Sequence, residues 1–521
     1  MNKYFYLFCI LFSVISFDTL SQYGYYKDVL KFSHSFRGGS ARIQSIGGAS
    51  TSLGGDISSI TLNPAGLGFF NKKKFSISYN NTSLKSNSTY LGEKSDVKSN
   101  FDRIDNLSVV FPIKRSVGLF NSRINDCLDC AKFNLGISYG VVKDFSNERL
   151  YQGYNDNNSI LDYFLNDAQG VPLSQISNSQ PISGIGLLQE AYDHYLINPD
   201  QDLPGTYFSF IGGFPLQREE IYNSGKISKF SISSGTNIKD KFFLGFGVNI
   251  YSVGYNQERI YSENQFELIN ESGEWEFEGI LDYLILKDFF KISGAGASFS
   301  AGLIFKPLDE LNFGFNYESK TKYSLKEELF NELETKYFDY YFEPEDTVLG
   351  NSISGTATNV ADYRFTSPSK ISIGSSYFFK KYGFISADID LINYSSSNVE
   401  SYDFNPFQDN SEINSLYKSL SVNYRFGIEG RYENFYLRLG YNFLVDPNRD
   451  LINSGIKNNL IKKSFGVGYL SNTFSLDIAY INLDKNSKIS PYPIYINQPV
   501  ADFSSNYRSI LLTLGIRINN R

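Results

Sequence analysis

The strongest constraint on this chain is a recurring segment in which large apolar residues occupy every second position. Phe242, Leu244, Phe246, Val248 and Ile250 alternate with Phe243, Gly245, Gly247, Asn249 and Tyr251. Phe435, Leu437, Leu439 and Tyr441 alternate with Tyr436, Arg438, Gly440 and Asn442. Near the C-terminus, Ile510, Leu512, Leu514, Ile516 and Ile518 alternate with Ser509, Leu511, Thr513, Gly515 and Arg517. A period of two puts each set on one face of a β-strand. Fourteen such segments occur, near 74–90, 104–114, 132–153, 226–238, 241–262, 286–306, 311–323, 362–379, 382–396, 417–431, 434–445, 460–471, 473–484 and 505–518. Alternation alone also suits a soluble sandwich, which buries its apolar face against a second sheet.

Loop lengths decide between the two. Tight connections at Lys239-Asp240, Pro307 to Glu310, Lys380-Lys381, Tyr432-Glu433 and Asn472 alternate with long polar stretches at 154–225, 263–285, 324–361, 397–416 and 485–504. Short turns on one side and long loops on the other mark an outer-membrane barrel, the short side periplasmic. The expected fold is all-β: a 14-stranded antiparallel transmembrane β-barrel over 74–518, with its main extracellular loops at 154–225 and 324–361. Composition agrees. The aromatic fraction is 16% (39 Tyr, 45 Phe) while mean hydropathy is only −0.26, as expected when half of each strand faces lipid and half faces water. Beyond the N-terminus no apolar run approaches the ~18 residues of a spanning helix.

Residues 1–21 read as a signal peptide: basic Asn2-Lys3, an apolar run from Tyr4 to Phe17, and a small-residue cleavage site at Thr19-Leu20-Ser21. With it removed, the barrel is expected in the cell outer membrane. Cys127 and Cys130 are spaced C-x-x-C, but no second ligand pair exists and the only histidines are His34 and His194. A local disulfide is the better reading than a redox or metal site. No metal or cofactor is expected. The net charge of −7, without a Lys/Arg cluster, argues against nucleic acid. The absence of a nucleophile–base arrangement argues against an enzyme.

A barrel of this width leaks unless something fills it, and 22–73 is sized for an internal plug. It contains Gly38-Gly39-Ser40-Ala41-Arg42, then Ile46-Gly47-Gly48-Ala49-Ser50-Thr51-Ser52-Leu53-Gly54-Gly55-Asp56, and Thr61-Leu62-Asn63-Pro64-Ala65-Gly66-Leu67-Gly68. This stretch resembles the N-terminal hatch of the FadL/TodX family of outer-membrane transporters for long-chain fatty acids and other hydrophobic compounds. The close match covers about thirty residues, and the rest agrees by strand count and layout. In the chain itself, Gly47, Gly48, Gly54 and Gly55 suit tight reversals, Asp56 suits a helix start, and Asn63-Pro64 suits its end. The last strand departs from the aromatic ending common in such barrels, closing on Ile518 before Asn519-Asn520-Arg521.

Strand parity places Asp388, Asp390, Asn423, Arg425, Arg438, Asp477 and Arg517 on the luminal face, where ion pairs holding the hatch are the simplest role. Gly136 and Gly140 share the inward face of the third strand, which in the resembled family is kinked to open the wall sideways. Ile185, Leu188, Ala191, Tyr192, Tyr195 and Leu196 recur at helical spacing, as do Leu325, Leu329, Phe330 and Leu333. The resemblance implies an apolar loop groove there for first capture of cargo, the alternative being ordinary packing. The implied function is passive uptake of hydrophobic small molecules such as long-chain fatty acids by a monomeric barrel set in outer-membrane lipid. Loop capture, hatch rearrangement and lateral release would be its stages. The alternative is a FadL-like barrel of a type IX protein-secretion apparatus, with secreted proteins as partners.

Overall fold

The computed structural model describes residues 24–34, 36, 38–113, 131–177, 186–269, 275–277, 279–449, 459–494 and 496–518. The signal-peptide region, Cys127, Cys130 and Ile185 lie outside them. Fourteen staves close into one antiparallel barrel. Numbered along the chain, they are β1 (Lys73–Tyr90), β2 (Glu93–Ile113), β3 (Ala131–Asp144, continued by Asn147–Tyr154), β4 (Phe214–Ile238), β5 (Phe242–Ile269), β6 (Leu281–Leu308) and β7 (Leu311–Glu318, continued by Lys322–Phe342). Then follow β8 (Thr347–Gly355, Asn359–Thr366 and Lys370–Phe378), β9 (Gly383–Ile392), β10 (Ser421–Tyr432), β11 (Phe435–Leu444), β12 (Leu460–Leu470), β13 (Phe474–Ile489) and β14 (Ala501–Ile518). Pairing of β1 with β14, from Lys73↔Ile518 to Thr89↔Asp502, closes the wall.

The alternation becomes an outside and an inside. Phe246, Ile428, Leu437 and Ile510 are about half exposed on the outer face, while Asn249, Arg425, Arg438 and Thr513 are buried within. A wall whose outer face is apolar and whose inner face is polar has no water-soluble arrangement with one closed sheet, so it spans a membrane. No helix of the described residues is long and apolar enough to cross one. The turn at Lys239-Asp240 has φ of +55° and +54°, the left-handed pair of a two-residue hairpin that matches strand twist.

The staves run further than the apolar pattern. The apolar alternation stops at Tyr90 and resumes at Ile104, yet β1 and β2 join through Leu91-Gly92 alone. Most of 324–361 is strand, and Leu325, Leu329, Phe330 and Leu333 lie on β7 rather than on a helix. The expected loop 154–225 shrinks to 155–213. Above the bilayer both strand faces meet water, so the apolar contrast that reveals a strand disappears. Charge pairs across strands support these extensions instead, as with Lys287–Glu332 at 2.6 Å and Lys291–Glu328 at 3.0 Å.

Above the rim, α4 (Ile160–Ala168), α5 (Leu173–Ile176) and α6 (Gly186–Asp193) form a small subdomain. A capping box at Ser159 and Asp162 starts α4. Phe164, Ile176, Leu188 and Leu196 pack onto Leu284, Leu286 and Leu333 of the wall extensions.

Candidate functional site

Inside the barrel, the chain between Gly38 and Phe70, the segment expected as a hatch, packs against the inner wall. Its elements are short because its sequence interrupts them: α2 (Ala41–Ser45) ends before Gly47 and Gly48 at φ of +67° and +79°, and α3 (Ser59–Leu62) ends at extended Asn63. Asp56 organises the start of α3, accepting from Ser58 N at 3.0 Å and from Ser40 Oγ at 2.9 Å. Pro64–Phe69 then makes a 3-10 turn capped by Asn63, whose side chain accepts from Ala65 N. The same side chain donates to Thr51 O at 2.6 Å and to Phe315 O of β7 at 3.3 Å. The Asn-Pro-Ala-Gly run is thus a fastener between hatch turns and wall.

The wall is cut to receive it. Gly235, Gly245 and Gly302 pair across β4, β5 and β6. A Cβ on Gly245 would lie 2.1 Å from Pro64 C, and one on Gly302 would lie 1.9 Å from Asn63 Oδ1. Further round, a Cβ on Gly440 would strike Gly47 N, and one on Gly466 would strike Ser45. Gly136 belongs to this ring, because a Cβ there would meet Ile60 and Leu67. These luminal glycines were in plain view on alternate positions of successive segments, but a single strand's glycine is indistinguishable from a bend.

Two charge clusters fix the hatch against the wall. Asp388 Oδ2 accepts from Ser50 N and Thr51 N at 2.9 Å and from Thr51 Oγ1 at 2.7 Å. Arg425 spans Asp388 at 3.4 Å and Asp390, to which it makes two bonds. In the second cluster Glu429 receives Arg42 of the hatch at 3.0 Å and Arg438 at 2.8 Å, and Arg438 reaches Asp477 at 2.7 Å. Glu429 and Arg42 were missed at the sequence level, although Glu429 lies on the same inward parity as Arg425. Asn423 turns instead to Val445 N at 2.9 Å.

On the extracellular side of the hatch the lumen becomes aromatic. Tyr251, Tyr255, Phe290, Tyr323, Tyr363 and Phe365 form a chamber, and the N-terminal helix α1 (Asp28–Ser33) with Tyr25 occupies it. Tyr25 stacks on Phe404 at 4.2 Å, and Phe32 sits 5.6 Å from Phe365. The helix is tethered by polar contacts at its ends. Asp28 accepts from Tyr363 OH at 2.6 Å, and Lys143 Nζ donates to the carbonyls of Leu30, Lys31 and His34 at 3.0, 2.8 and 3.2 Å.

Lys143 lies where the wall itself changes. Backbone pairing of β2 with β3 runs from Ile113↔Phe133 to Asn106↔Gly140 and stops there. The next residues of β3 still pair with β4, with a register shift between Val141 and Lys143. Above this point β2 and β3 are bridged by side chains: Arg103 to Asp144, and Ser99 Oγ to Glu148 at 2.5 Å. A cavity of about 80 Å³ opens beside the seam, lined by Gly140 and Val141 of β3, Asp105 and Asn106 of β2, Thr61 and Leu62 of the hatch, and Lys229, Tyr251 and Glu318.

No protein-family profile matches the chain, and no curated protein matches it. Solved structures do. A FadL homologue from Pseudomonas aeruginosa superposes with a TM-score of 0.51 over 93% of this chain and 100% of its own, at 14% identity. The chain has the FadL barrel fold. The toluene transporter TodX of P. putida aligns over 93% of this chain and 100% of its own, with a TM-score of 0.49 and 13% identity.

Within this FadL fold the expected loop groove takes a different form. Leu188 and Leu196 are buried in the closed core of the extracellular subdomain, with Tyr192 and Tyr195 packed against it. Their helical spacing reports ordinary packing, and the aromatic surface lies in the lumen instead. It went unseen because its residues come from staves far apart in sequence. At the base of the subdomain His194 is buried, its ring nitrogens 2.8 Å from Thr335 Oγ1 and 2.7 Å from Ser354 Oγ. Burial pushes its pKa down to about 4 and raises that of neighbouring Glu190. The ring therefore serves as a neutral hydrogen-bonding post. Among the described residues no group of His, Cys, Asp and Glu is arranged to hold a metal.

Proposed function

We infer that this protein is an outer-membrane channel for passive entry of hydrophobic small molecules, long-chain fatty acids among them. The observation that carries this reading is one of continuity. An aromatic chamber above a fastened hatch adjoins a stretch of wall that lacks backbone bonds between β2 and β3. An apolar molecule gains on entering the chamber because it leaves water for aromatic surface. It competes there with Tyr25, Val29 and Phe32, which already occupy that surface. Shifting α1 frees Lys143, and with it the part of β3 above Gly140. Cargo then leaves sideways between Arg103 and Asp144 into lipid, where no water barrier remains. No covalent step or energy source is required.

The test is native mass spectrometry of the detergent-purified protein offered dodecanoic and hexadecanoic acid, paired with uptake into proteoliposomes. Saturable retention that rises when Phe32→Ala empties part of the chamber supports the reading. A protein that takes up neither acid, yet co-purifies with secreted proteins, would establish the secretion alternative instead.

A further inference from the structure

The outer wall carries a feature that uptake does not use. Across β8, β9, β10, β11 and β12 one transverse row of outward positions reads Ser375, Ala387, Phe426, Tyr441 and Lys463, in register by strand pairing. The row on its periplasmic side reads Tyr377, Ile385, Ile428, Leu439 and Phe465. The two small side chains leave a notch between large ones. The result is an outward-facing, apolar groove of about 630 Å³, bounded by Tyr377, Ile385, Phe426, Ile428, Leu439 and Tyr441, with Lys463 at one end.

Continued onto β13 and β14, the same row reaches Asn482 and Arg508. Directly beneath lie apolar Phe465, Tyr480 and Ile510, so this is the extracellular edge of the lipid-facing band. Lys463 and Arg508 are exposed there, two strand spacings or about 10 Å apart. Neither forms an ion pair among the described residues, Arg508 being steadied only by Asn506 Oδ1 at 2.8 Å. Cations on a lipid-facing wall cost free energy unless they reach the interface or meet an anion. Phosphate is the anion that interface offers, and Lys and Arg both bind it well.

We propose that this face is a binding site for a phosphate-bearing, multiply acylated lipid of the outer leaflet. Acyl chains fill the groove over Ser375 and Ala387, and the phosphorylated headgroup is held by Lys463 and Arg508. A second copy of the chain would fill the groove but would bury both cations against an apolar wall, so the charge pattern favours the lipid. The site is independent of whatever crosses the lumen and requires only that the barrel spans the membrane.

Delipidated full-length protein would be titrated by native mass spectrometry with bisphosphorylated lipid A, and separately with zwitterionic phosphatidylethanolamine. One retained lipid A per barrel is expected. Replacing both cations (Lys463→Gln with Arg508→Gln) should weaken lipid A by about tenfold or more, with little effect on phosphatidylethanolamine, whose single phosphate is balanced by its own ammonium. Filling the notch with Ala387→Phe should weaken both lipids. Barrel closure of each variant would be verified by heat-modifiable gel mobility. Lipid A binding that survives both changes overturns the proposal. So does a dimer that Ala387→Phe dissociates, which would make the groove a seam between copies.

Discussion

Replacing Asp388 with Ala removes the acceptor for three hatch donors, Ser50 N, Thr51 N and Thr51 Oγ1. Ser50 and Thr51 are buried, so water does not readily replace the carboxylate. A buried donor left unsatisfied costs about 1–3 kcal/mol. Taking the low end for each, the closed hatch loses about 3 kcal/mol. That is a shift of about a hundredfold toward release. The wall should survive, because Arg425 keeps both bonds to Asp390. The assay is amide hydrogen exchange across 44–56 in detergent, with planar-bilayer conductance alongside. Exchange at Ser50 and Thr51 should rise by about two orders of magnitude, with more frequent conducting events. A folded barrel whose Ser50 and Thr51 amides exchange at the wild-type rate would refute the account of the clasp.

Other outcomes follow from the same geometry. Gly302→Ala puts a methyl onto Asn63 Oδ1, and overpacking of this kind costs about 1–3 kcal/mol. Its thermal midpoint should fall, while Gly254→Ala, with nothing within 4 Å of the new methyl, should leave it unchanged. Lys143→Met removes three bonds to the end of α1 and should raise the population of displaced helix by about tenfold or more, read as faster binding of a fluorescent fatty acid. The pKa of His194 falls from 6.5 to about 4, so between those values the unfolded loop takes up a proton that the folded one refuses. The His194 contribution is fully present above pH 6.5 and falls by at most about 3 kcal/mol as pH drops toward 4, offset in part by Glu190, whose raised pKa favours the folded loop as pH falls. Limited proteolysis within 155–213 should therefore accelerate at pH 5 relative to 7.5, and His194→Gln should flatten the difference.

The membrane-crossing part of each stave was legible because one face meets lipid and the other water, as in Phe242 to Tyr251. The clasp residues Asp388, Arg425 and Arg438 were legible for the same reason, parity alone placing them inward. What parity could not supply was partnership: Arg42 with Glu429, and Lys143 with α1, join segments with no periodic relation to each other. The strand extensions were hidden by water on both faces. The hatch contacts of Gly136 were hidden because the glycines that share them lie on several staves rather than on one. The seam at Asn106 and Gly140 is a place where pairing ends, a property of two strands that neither sequence carries alone.

In the proposed route, cargo passes from the aromatic chamber out through the wall above the pairing of β2 with β3. Gly140→Phe tests it most directly, since the new ring enters the cavity of about 80 Å³ beside that seam, where even a Cβ would lie 2.8 Å from Asn106 Nδ2. Uptake of a fluorescent fatty acid into proteoliposomes should be lost, while binding to the detergent-purified variant remains within a few-fold of wild type. Undiminished uptake by a folded Gly140→Phe barrel would contradict the lateral route.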